Sequence, residues 1–100
     1  MNPKPDAAPP DPPVLTEYLK HLALERGLSV NTCKGYACDV RAFLAYLRGR
    51  DPLKQAPEDL NDYLWDLQSA RKLKASSIFR AMEALRSFYR FQASEERIEE

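Results

Sequence analysis

The chain has 100 residues and a formal net charge of zero, with 44% hydrophobic and 30% charged residues. This composition is typical of one small globular domain and excludes a chain that is disordered throughout. No apolar run approaches the roughly 20 residues of a membrane span, so we expect a cytoplasmic protein that does not contact a membrane.

The charged residues are unevenly distributed along the chain. Residues 29–50 hold four basic residues against one acidic residue, and residues 71–90 hold six against one. Residues 51–70 hold one basic residue against five acidic ones. Because two basic segments alternate with acidic ones, the sequence predicts a polarised molecule despite its zero net charge.

The N-terminal segment is rich in proline. Six of the eight prolines lie in residues 1–13, and proline supplies no backbone N–H for a helix or a sheet. We therefore expect residues 1–12 to form a disordered, solvated tail. Residues 13–94 are then expected to form the folded domain.

Apolar residues spaced three and four apart predict a first helix over 13–26 and a second over 30–48. Gly27 is expected to end the first helix in the left-handed conformation, and Ser29 to cap the second. Lys34, Arg41 and Arg48 follow one another at intervals of seven on the second helix. The predicted core residues are Val14, Leu15, Tyr18, Leu19 and Leu22 in the first helix, and Val30, Cys33, Tyr36, Ala37, Val40, Phe43, Leu44 and Leu47 in the second.

A third helix is predicted over 57–70, after a loop at 53–56. Pro57 suits the first turn of a helix, and the acidic residues that follow it suit the positive end of the helix dipole. Trp65 is expected at the margin of the core. The predicted core residues are Leu60, Tyr63, Leu64 and Leu67, and the acidic outer face carries Asp62 and Asp66.

A fourth helix is predicted to begin at Ala75 or Ser76 and to end near Gln92. One face carries the core stripe Ile78, Met82, Leu85 and Tyr89, widened by Ala81 and Phe88. The other face carries Ser76, Ser77, Arg80, Ser87 and Arg90, with Lys72 and Lys74 just upstream. These polar residue types hydrogen-bond phosphates and base edges. Residues 95–100 are expected to be a frayed helix end or a linker.

The chain offers little material for catalysis. His21 is the only histidine and is expected on the surface of the first helix, so the usual metal sites and nucleophile–histidine triads are not supported. Cys33 and Cys38 are five residues apart, without further Cys or His nearby, and are expected to be reduced thiols. We therefore expect no metal, no cofactor and no active site in this chain.

The residues by themselves leave two interpretations of the basic segments open. Lys34, Arg41 and Arg48 can form an ordinary solvated helix face, and so can Arg80, Arg86 and Arg90. Ser29 and Ser76 are explained as helix caps, although a hydroxyl at a helix start can also meet a phosphate. The aromatic residues Tyr36, Phe43, Phe88 and Tyr89 fit a core better than a platform on which bases stack.

The pattern over residues 14–95 resembles a known family. LTEYLKHLALERGLSVNTCKGYACDVRAFLAYL followed by KASSIFRAMEALRSFYRF is similar to the N-terminal core-binding domain of tyrosine recombinases of the phage integrase and Xer type. The matching positions are Ser29, Asn31, Thr32, Tyr36, Asp39 and Phe43 in the second helix, and Ser76, Ser77, Ile78, Arg80, Leu85, Arg86, Phe88, Tyr89 and Phe91 in the fourth.

The resemblance implies an all-α fold, a four-helix orthogonal bundle of the SAM-like kind. In that family the domain clamps duplex DNA, with its second and fourth helices crossing the major groove. The implied DNA contacts are Asn31, Thr32, Lys34, Arg41, Lys74, Ser76, Ser77, Arg80 and Arg90. Glu83 on the basic helix, and Gln92 where an apolar residue is more usual, depart from the family pattern.

The resemblance also implies a division of labour with residues outside this chain. Family members cut DNA with a tyrosine in a second, C-terminal domain, so residues 95–100 are expected to begin a linker to it. We expect the isolated chain to be a monomer without catalytic activity, and the full-length protein to assemble with other recombinase protomers on DNA. The alternative is a stand-alone helical protein-interaction module, which the zero net charge also fits.

Overall fold

The computed structural model describes residues 11–25 and 27–98. Within them the chain forms four α-helices: α1 (Pro13–Glu25), α2 (Val30–Leu47), α3 (Pro57–Ser69) and α4 (Ala75–Ser94), with a short 3-10 turn at Pro52–Lys54. These residues contain no β-strand. The predicted all-α, four-helix architecture is confirmed.

The helix boundaries follow from local capping. Gly27 has a φ of 66°, as predicted for a residue that ends a helix. The Ser29 hydroxyl accepts a hydrogen bond from the Thr32 backbone N–H at 3.1 Å, which confirms its role as the α2 cap. The predicted loop at 53–56 is partly wrong, because Asp51 caps the 3-10 turn by accepting from the Leu53 N–H at 2.9 Å.

The predicted tail, residues 1–12, lies largely outside the described residues. Asp11 and Pro12 are described, and both are engaged with the domain. The Pro12 carbonyl accepts hydrogen bonds from the backbone N–H groups of Leu15 at 2.9 Å and Thr16 at 3.0 Å. The chain is therefore held to the first turn of α1 at Pro12, and the Asp11 side chain pairs with Arg41 of α2.

The core lies between α1, α2 and α4, with α3 covering one side of α4. Tyr18 meets Phe88 edge to face, with ring centroids 5.4 Å apart, and Phe43 meets Tyr63 at 5.0 Å. Such pairs stabilise a core beyond the area they bury. The buried hydrophobic residues are Leu15, Tyr18, Leu22, Ala37, Val40, Phe43, Leu47, Tyr63, Leu67, Ala81, Ala84, Leu85, Phe88 and Phe91.

One predicted core position is wrong, and a residue expected at the margin of the core is largely exposed. Val30 is 69% exposed and Trp65 is 68% exposed. Val30 is the first residue of α2 and projects beyond the neighbouring helices. Trp65 lies on α3, the helix with the least extensive packing in the bundle, so only one narrow side of α3 is covered.

The buried face of α4 is turned relative to the predicted stripe. Ile78, Met82 and Tyr89 are only half-buried, whereas Ala84 and Phe91 are buried. The reason is that α4 packs more extensively against α2 than against α3. The side that faces α2 and α1 is therefore closed, and the side that faces α3 remains partly open.

The prediction that Ser87 belongs to the polar face of α4 is wrong. Ser87 is buried and accepts a hydrogen bond from the Tyr18 hydroxyl at 2.8 Å. Gln92 is also fully buried, and its side-chain oxygen accepts from the Arg97 guanidinium at 2.9 Å. Polar side chains are tolerated at these positions because each has a partner.

The end of α4 is a defined cap, so of the two expectations for residues 95–100, a frayed helix end or a linker, the frayed end does not describe residues 95–98. Glu96 adopts a left-handed φ of 60°, its N–H donates to the Ala93 carbonyl at 2.9 Å, and the Arg97 N–H donates to the Gln92 carbonyl at 3.0 Å. This pair of bonds is a Schellman motif. Arg97 also pairs with Glu17 of α1, which ties the end of α4 to the start of the domain.

Replacing Tyr18 with Phe should lower the free energy of unfolding by about 1 kcal/mol, because a buried hydrogen bond is lost. Tyr36→Phe is the matched control, since among the described residues the Tyr36 hydroxyl makes no hydrogen bond; it should change stability by less than about 0.5 kcal/mol. Urea unfolding followed by circular dichroism measures both. Equal effects of the two variants would contradict this assignment.

Replacing Glu96 with Gly should raise the free energy of unfolding by roughly 0.5–1 kcal/mol, because glycine adopts the left-handed conformation without the Cβ clash. The neighbouring Glu95 has a φ of −91°, so Glu95→Gly should lower stability instead. The same urea titration compares the two variants, and a loss of stability in Glu96→Gly would argue against the Schellman cap.

Candidate nucleic-acid interface

The N-terminal halves of α2 and α4 lie side by side and form a shallow groove, called here the α2–α4 groove. The residues that line it are Asn31, Thr32, Gly35, Tyr36, Phe79, Arg80 and Glu83. Of the nine predicted DNA contacts, the structure brings three into this groove, namely Asn31, Thr32 and Arg80. These side chains offer amide, hydroxyl and guanidinium groups, which hydrogen-bond both phosphates and bases.

A two-pronged ion pair joins the two helices beside the groove. Arg80 Nε donates to Asp39 Oδ2 at 2.7 Å, and Arg80 Nη2 donates to Asp39 Oδ1 at 2.9 Å. The Asp39 side chain is 12% exposed and that of Arg80 is 52% exposed. The hydrogen bond to Asp39 raises the pKa of Arg80 above its ordinary value. Such bidentate pairs fix geometry as well as adding energy.

Gly35 has no side chain and so leaves space for the Arg80 side chain on the surface of α2. A methyl group built at Gly35 would lie 3.5 Å from Arg80 Cδ and 3.6 Å from Nε and Cζ. These are ordinary van der Waals distances, so the Arg80 side chain lies over Gly35 with room for one extra carbon between them. Arg80 is therefore held by the Asp39 carboxylate, and Gly35 leaves space beside it.

The start of α4 is not capped as predicted. Lys74, rather than Ser76, occupies the cap position, and no side chain bonds to the first-turn N–H groups. Ser76 is exposed and Ser77 is half-buried in that first turn. Free N–H groups at a helix start, together with the helix dipole, favour an anion. Lys74, Ser76 and Ser77 lie at this helix start. Their ammonium and hydroxyl groups can therefore bind an anion together with the free N–H groups.

Arg41 does not face the α2–α4 groove. It lies two residues after Asp39, which places it about 160° away around the helix. Its guanidinium pairs with Asp11, with Nε–Oδ1 at 3.0 Å and Nη2–Oδ2 at 2.9 Å. Lys34 is exposed on α2 and is likewise not among the residues that line the groove.

The Asp11–Arg41 pair is pH-dependent in a definite direction. The hydrogen bond from Arg41 lowers the pKa of the Asp11 carboxyl below its ordinary value. A lowered pKa means that the stabilising contribution is present above the ordinary carboxyl pKa and is lost as pH falls through the lowered one. Both groups are partly exposed, so the contribution is small.

Arg90 lies ten residues after Arg80, about 15 Å further along α4. It borders a larger groove, called here the α3–α4 groove, and the structure does not bring it together with Arg80. The residues that line the α3–α4 groove are Leu53, Gln55, Pro57, Leu60, Asn61, Leu64, Met82, Leu85, Arg86, Tyr89, Arg90, Ala93, Arg97 and Ile98. Arg86 is paired with Glu83 at 2.7 Å and so is partly neutralised.

Sequence reasoning missed several residues of the α2–α4 groove. Gly35 and Glu83 line it, Asp39 orients Arg80, and Phe79 is a large apolar side chain left 64% exposed beside Arg80. Phe79 was detectable, because an aromatic residue stands outside the core stripe between Ile78 and Arg80. The Asp39–Arg80 pair was not, because 41 residues separate its two members.

Three further features of the described residues bear on function. No group of three or more His, Cys, Asp or Glu side chains among them could hold a metal ion. Within the same part of the chain, no helix is long and apolar enough to cross a bilayer. Cys33 is half-buried, Cys38 is exposed, and both are free thiols.

Four helices, with α2 packed against α4 and a shallow groove between them, define a small all-α domain. The profile of the phage integrase N-terminal SAM-like domain matches residues 15–96. The chain belongs to this family, and the resemblance stated from its residues is confirmed.

The chain is similar to curated tyrosine recombinases. It is 39% identical over 83 residues to the tyrosine recombinase XerD of Chlorobaculum tepidum, covering 81% of this chain and 27% of the relative. XerD of Mycobacterium tuberculosis is 34% identical over 90 residues, covering 81% and 29%. XerC of Roseiflexus castenholzii is 35% identical over 77 residues, covering 74% and 24%.

These relatives are much longer than the matched region. The chain spans roughly a quarter of their length, 24–29% in the three proteins just described. No solved structure matches the chain significantly. What the comparisons establish is therefore a domain that tyrosine recombinases share.

Replacing Gly35 with Ala should raise the free energy of unfolding by roughly 0.5–1 kcal/mol, because glycine inside a helix is disfavoured and the added methyl meets Arg80 at an ordinary contact distance. Gly35→Leu should instead push Arg80 off α2 and weaken its pair with Asp39. Thermal unfolding separates the two variants. A destabilised Gly35→Ala would show that the helices approach more closely than this geometry allows.

Proposed function

We propose that this chain is the DNA-binding domain of a site-specific tyrosine recombinase or integrase. It clamps duplex DNA through α2 and α4, while residues outside this chain perform the strand cleavage and joining of DNA integration or recombination. The observation that carries the proposal is the side-by-side packing of α2 and α4, which brings Asn31, Thr32 and Arg80 into one groove on a domain of the integrase family.

The dimensions and charges of this face fit duplex DNA. A helix with its side chains is about 10–12 Å across, and the major groove of B-form DNA is about 12 Å wide. Lys34 and Lys74 are exposed, and neither takes part in an ion pair among the described residues. They are therefore available to neutralise phosphates, as are the free N–H groups at the start of α4.

The remaining predicted contacts take supporting roles in this proposal. Ser76 and Ser77 add hydroxyl groups at the start of α4, where a phosphate would meet the helix dipole. Arg41 and Arg90 lie on the outer flanks of α2 and α4, where they reach phosphates only beyond the α2–α4 groove. Arg41 must also release Asp11 to do so.

The tyrosines of this chain serve packing rather than strand cleavage in this proposal. Tyr18 and Tyr63 are buried, and burial raises the pKa of Tyr63. Tyr89 donates a hydrogen bond to the Pro52 carbonyl at 2.7 Å, and burial raises its pKa as well. A phenol with a raised pKa is a poorer nucleophile near neutral pH. In this proposal, the partners of the domain are duplex DNA and other recombinase protomers.

A second candidate is a helical protein-interaction module that does not bind DNA. The observations in its favour are the zero net charge and the four exposed large apolar side chains, Leu24, Val30, Trp65 and Phe79. The two functions differ in their dependence on salt. Phosphate contacts release counterions and weaken steeply with salt, whereas apolar association does not.

The 100-residue chain should bind a labelled 30-base-pair duplex with a dissociation constant of about 10⁻⁴ to 10⁻⁶ M, in the range of nonspecific binding. Lys34→Ala and Lys74→Ala should each reduce the magnitude of the slope of log K against log salt by about 1. Lys20→Ala, on α1 and away from the α2–α4 groove, is the matched control and should leave the slope unchanged. Fluorescence anisotropy between 50 and 200 mM salt measures all four proteins.

Absence of binding at 50 mM salt would refute the DNA-binding function and favour the interaction module. So would binding that is unaffected when Arg80 and Lys34 are replaced together by Ala. Equal loss of slope in Lys20→Ala would place the DNA on a different face of the domain.

A further inference from the structure

The Asp39–Arg80 pair leaves one edge of the guanidinium unused. A guanidinium carries five N–H donors in a planar fork. Nε and one N–H of Nη2 are committed to Asp39, so three donors remain, two on Nη1 and one on Nη2. None of them donates to another described residue. One N–H of Nη1 and the remaining N–H of Nη2 form the end edge of the fork, and the Arg80 side chain is 52% exposed.

This end edge is held in place before any ligand arrives. Asp39 is largely buried and lies on α2, so its carboxylate cannot follow Arg80 into solvent. The Arg80 side chain also lies over Gly35 of α2, where one added carbon would meet it at ordinary contact distance. A free arginine loses much side-chain entropy when it binds, whereas a held one has already lost most of it.

The charge of the pair argues against a simple phosphate contact. Asp39 and Arg80 together carry no net charge, so they contribute little to counterion release, which underlies phosphate affinity. Their geometry favours a different ligand. The N7 and O6 atoms of guanine are adjacent acceptors in the major groove, and the end edge of an arginine matches them with two hydrogen bonds.

Arg41 makes the same kind of two-pronged pair with Asp11, but the Asp11 carboxylate is more exposed and Arg41 lies outside the α2–α4 groove. Asp11 precedes α1 instead of lying on a packed helix, and its side chain is 32% exposed against 12% for Asp39. Arg41 also lies outside the α2–α4 groove, whereas Arg80 lines it with Asn31 and Thr32. Arg41 is therefore the natural internal control for Arg80.

We propose that Arg80 reads a guanine base, donating from its end edge to N7 and O6, and that Asp39 is the positioning residue that aims it. The proposal rests on the DNA-binding function proposed above and extends it to sequence preference. Asn31, Thr32 and Phe79 border the same groove and would contact the flanking bases.

The test begins by selecting preferred sites from a random-sequence duplex library with the 100-residue chain. A selected duplex is then compared with one in which the guanine is replaced by 7-deazaguanine, which lacks N7 and retains O6 and normal base pairing. Wild-type protein should bind the substituted duplex about tenfold more weakly. Arg80→Lys, which keeps the charge and loses the fork, should bind the two duplexes equally within about twofold.

Substitutions of Arg80 and of Asp39 should also have different effects on the salt dependence of DNA binding. Arg80→Lys should keep the salt slope of the wild-type protein, whereas Asp39→Asn should steepen it by about 1, because the Arg80 charge is no longer neutralised. Asp39→Asn should also weaken the discrimination between the two duplexes. Arg41→Lys should leave the discrimination unchanged. Circular dichroism melts check the folding of each variant, and Arg80→Gln replaces Asp39→Asn if the latter is unfolded.

Three results would overturn the proposal. The first is that no selected guanine responds to 7-deaza substitution, which would leave the pair with a purely structural role. The second is that Arg80→Lys retains the tenfold discrimination. The third is that Asp39→Asn, or Arg80→Gln in its place, retains the tenfold discrimination, which would show that the pair does not aim donors at guanine. In all three, salt-dependent DNA binding itself persists, so failure of this proposal is distinguishable from failure of the DNA-binding function.

Discussion

The packing of α4 against α2 is the constraint on which the rest of the domain depends. Below the surface, α4 buries Phe88 in a core that also holds Tyr18 and Phe43. At the surface, the same two helices are joined by the Asp39–Arg80 pair. Because α2 and α4 form both this core and the groove above it, the groove residues are positioned by the packing of the core. A binding face built on helices is positioned more precisely than one built on loops.

Ion pairing divides the basic residues of this chain into two kinds. Lys34 and Lys74 carry uncompensated charge among the described residues and suit phosphates, which require charge more than direction. The charge of Arg80 is neutralised by the Asp39 carboxylate, and its remaining N–H groups donate in fixed directions. Such donors suit a ligand with a defined pattern of acceptors. A count of basic residues treats both kinds alike. The distinction between affinity and specificity therefore becomes visible only through the partners of each side chain.

Buried polar groups connect the ends of α4 to the rest of the bundle. Ser87 accepts a hydrogen bond from Tyr18 of α1, and Gln92 bonds to Arg97, which pairs with Glu17 of α1. The Tyr18–Ser87 bond links α4 to α1, and the Glu17–Arg97 pair links the end of α4 to α1. They fix the rotation of α4 about its own axis, because an unpartnered polar group would otherwise be buried. That rotation decides which residues of α4 reach the groove.

The sequence by itself determined the elements of this protein. Apolar spacing, the Ser29 cap and Gly27 act within a few residues, so the four helices and their boundaries were predictable, as was the family from the order of positions in α2 and α4. Tertiary structure alone decided the site. It turned Ser87 inward, placed Arg41 and Arg90 away from the α2–α4 groove, and paired Arg80 with Asp39, because helix rotation depends on contacts between residues distant in the chain. Local periodicity carries no information about such contacts.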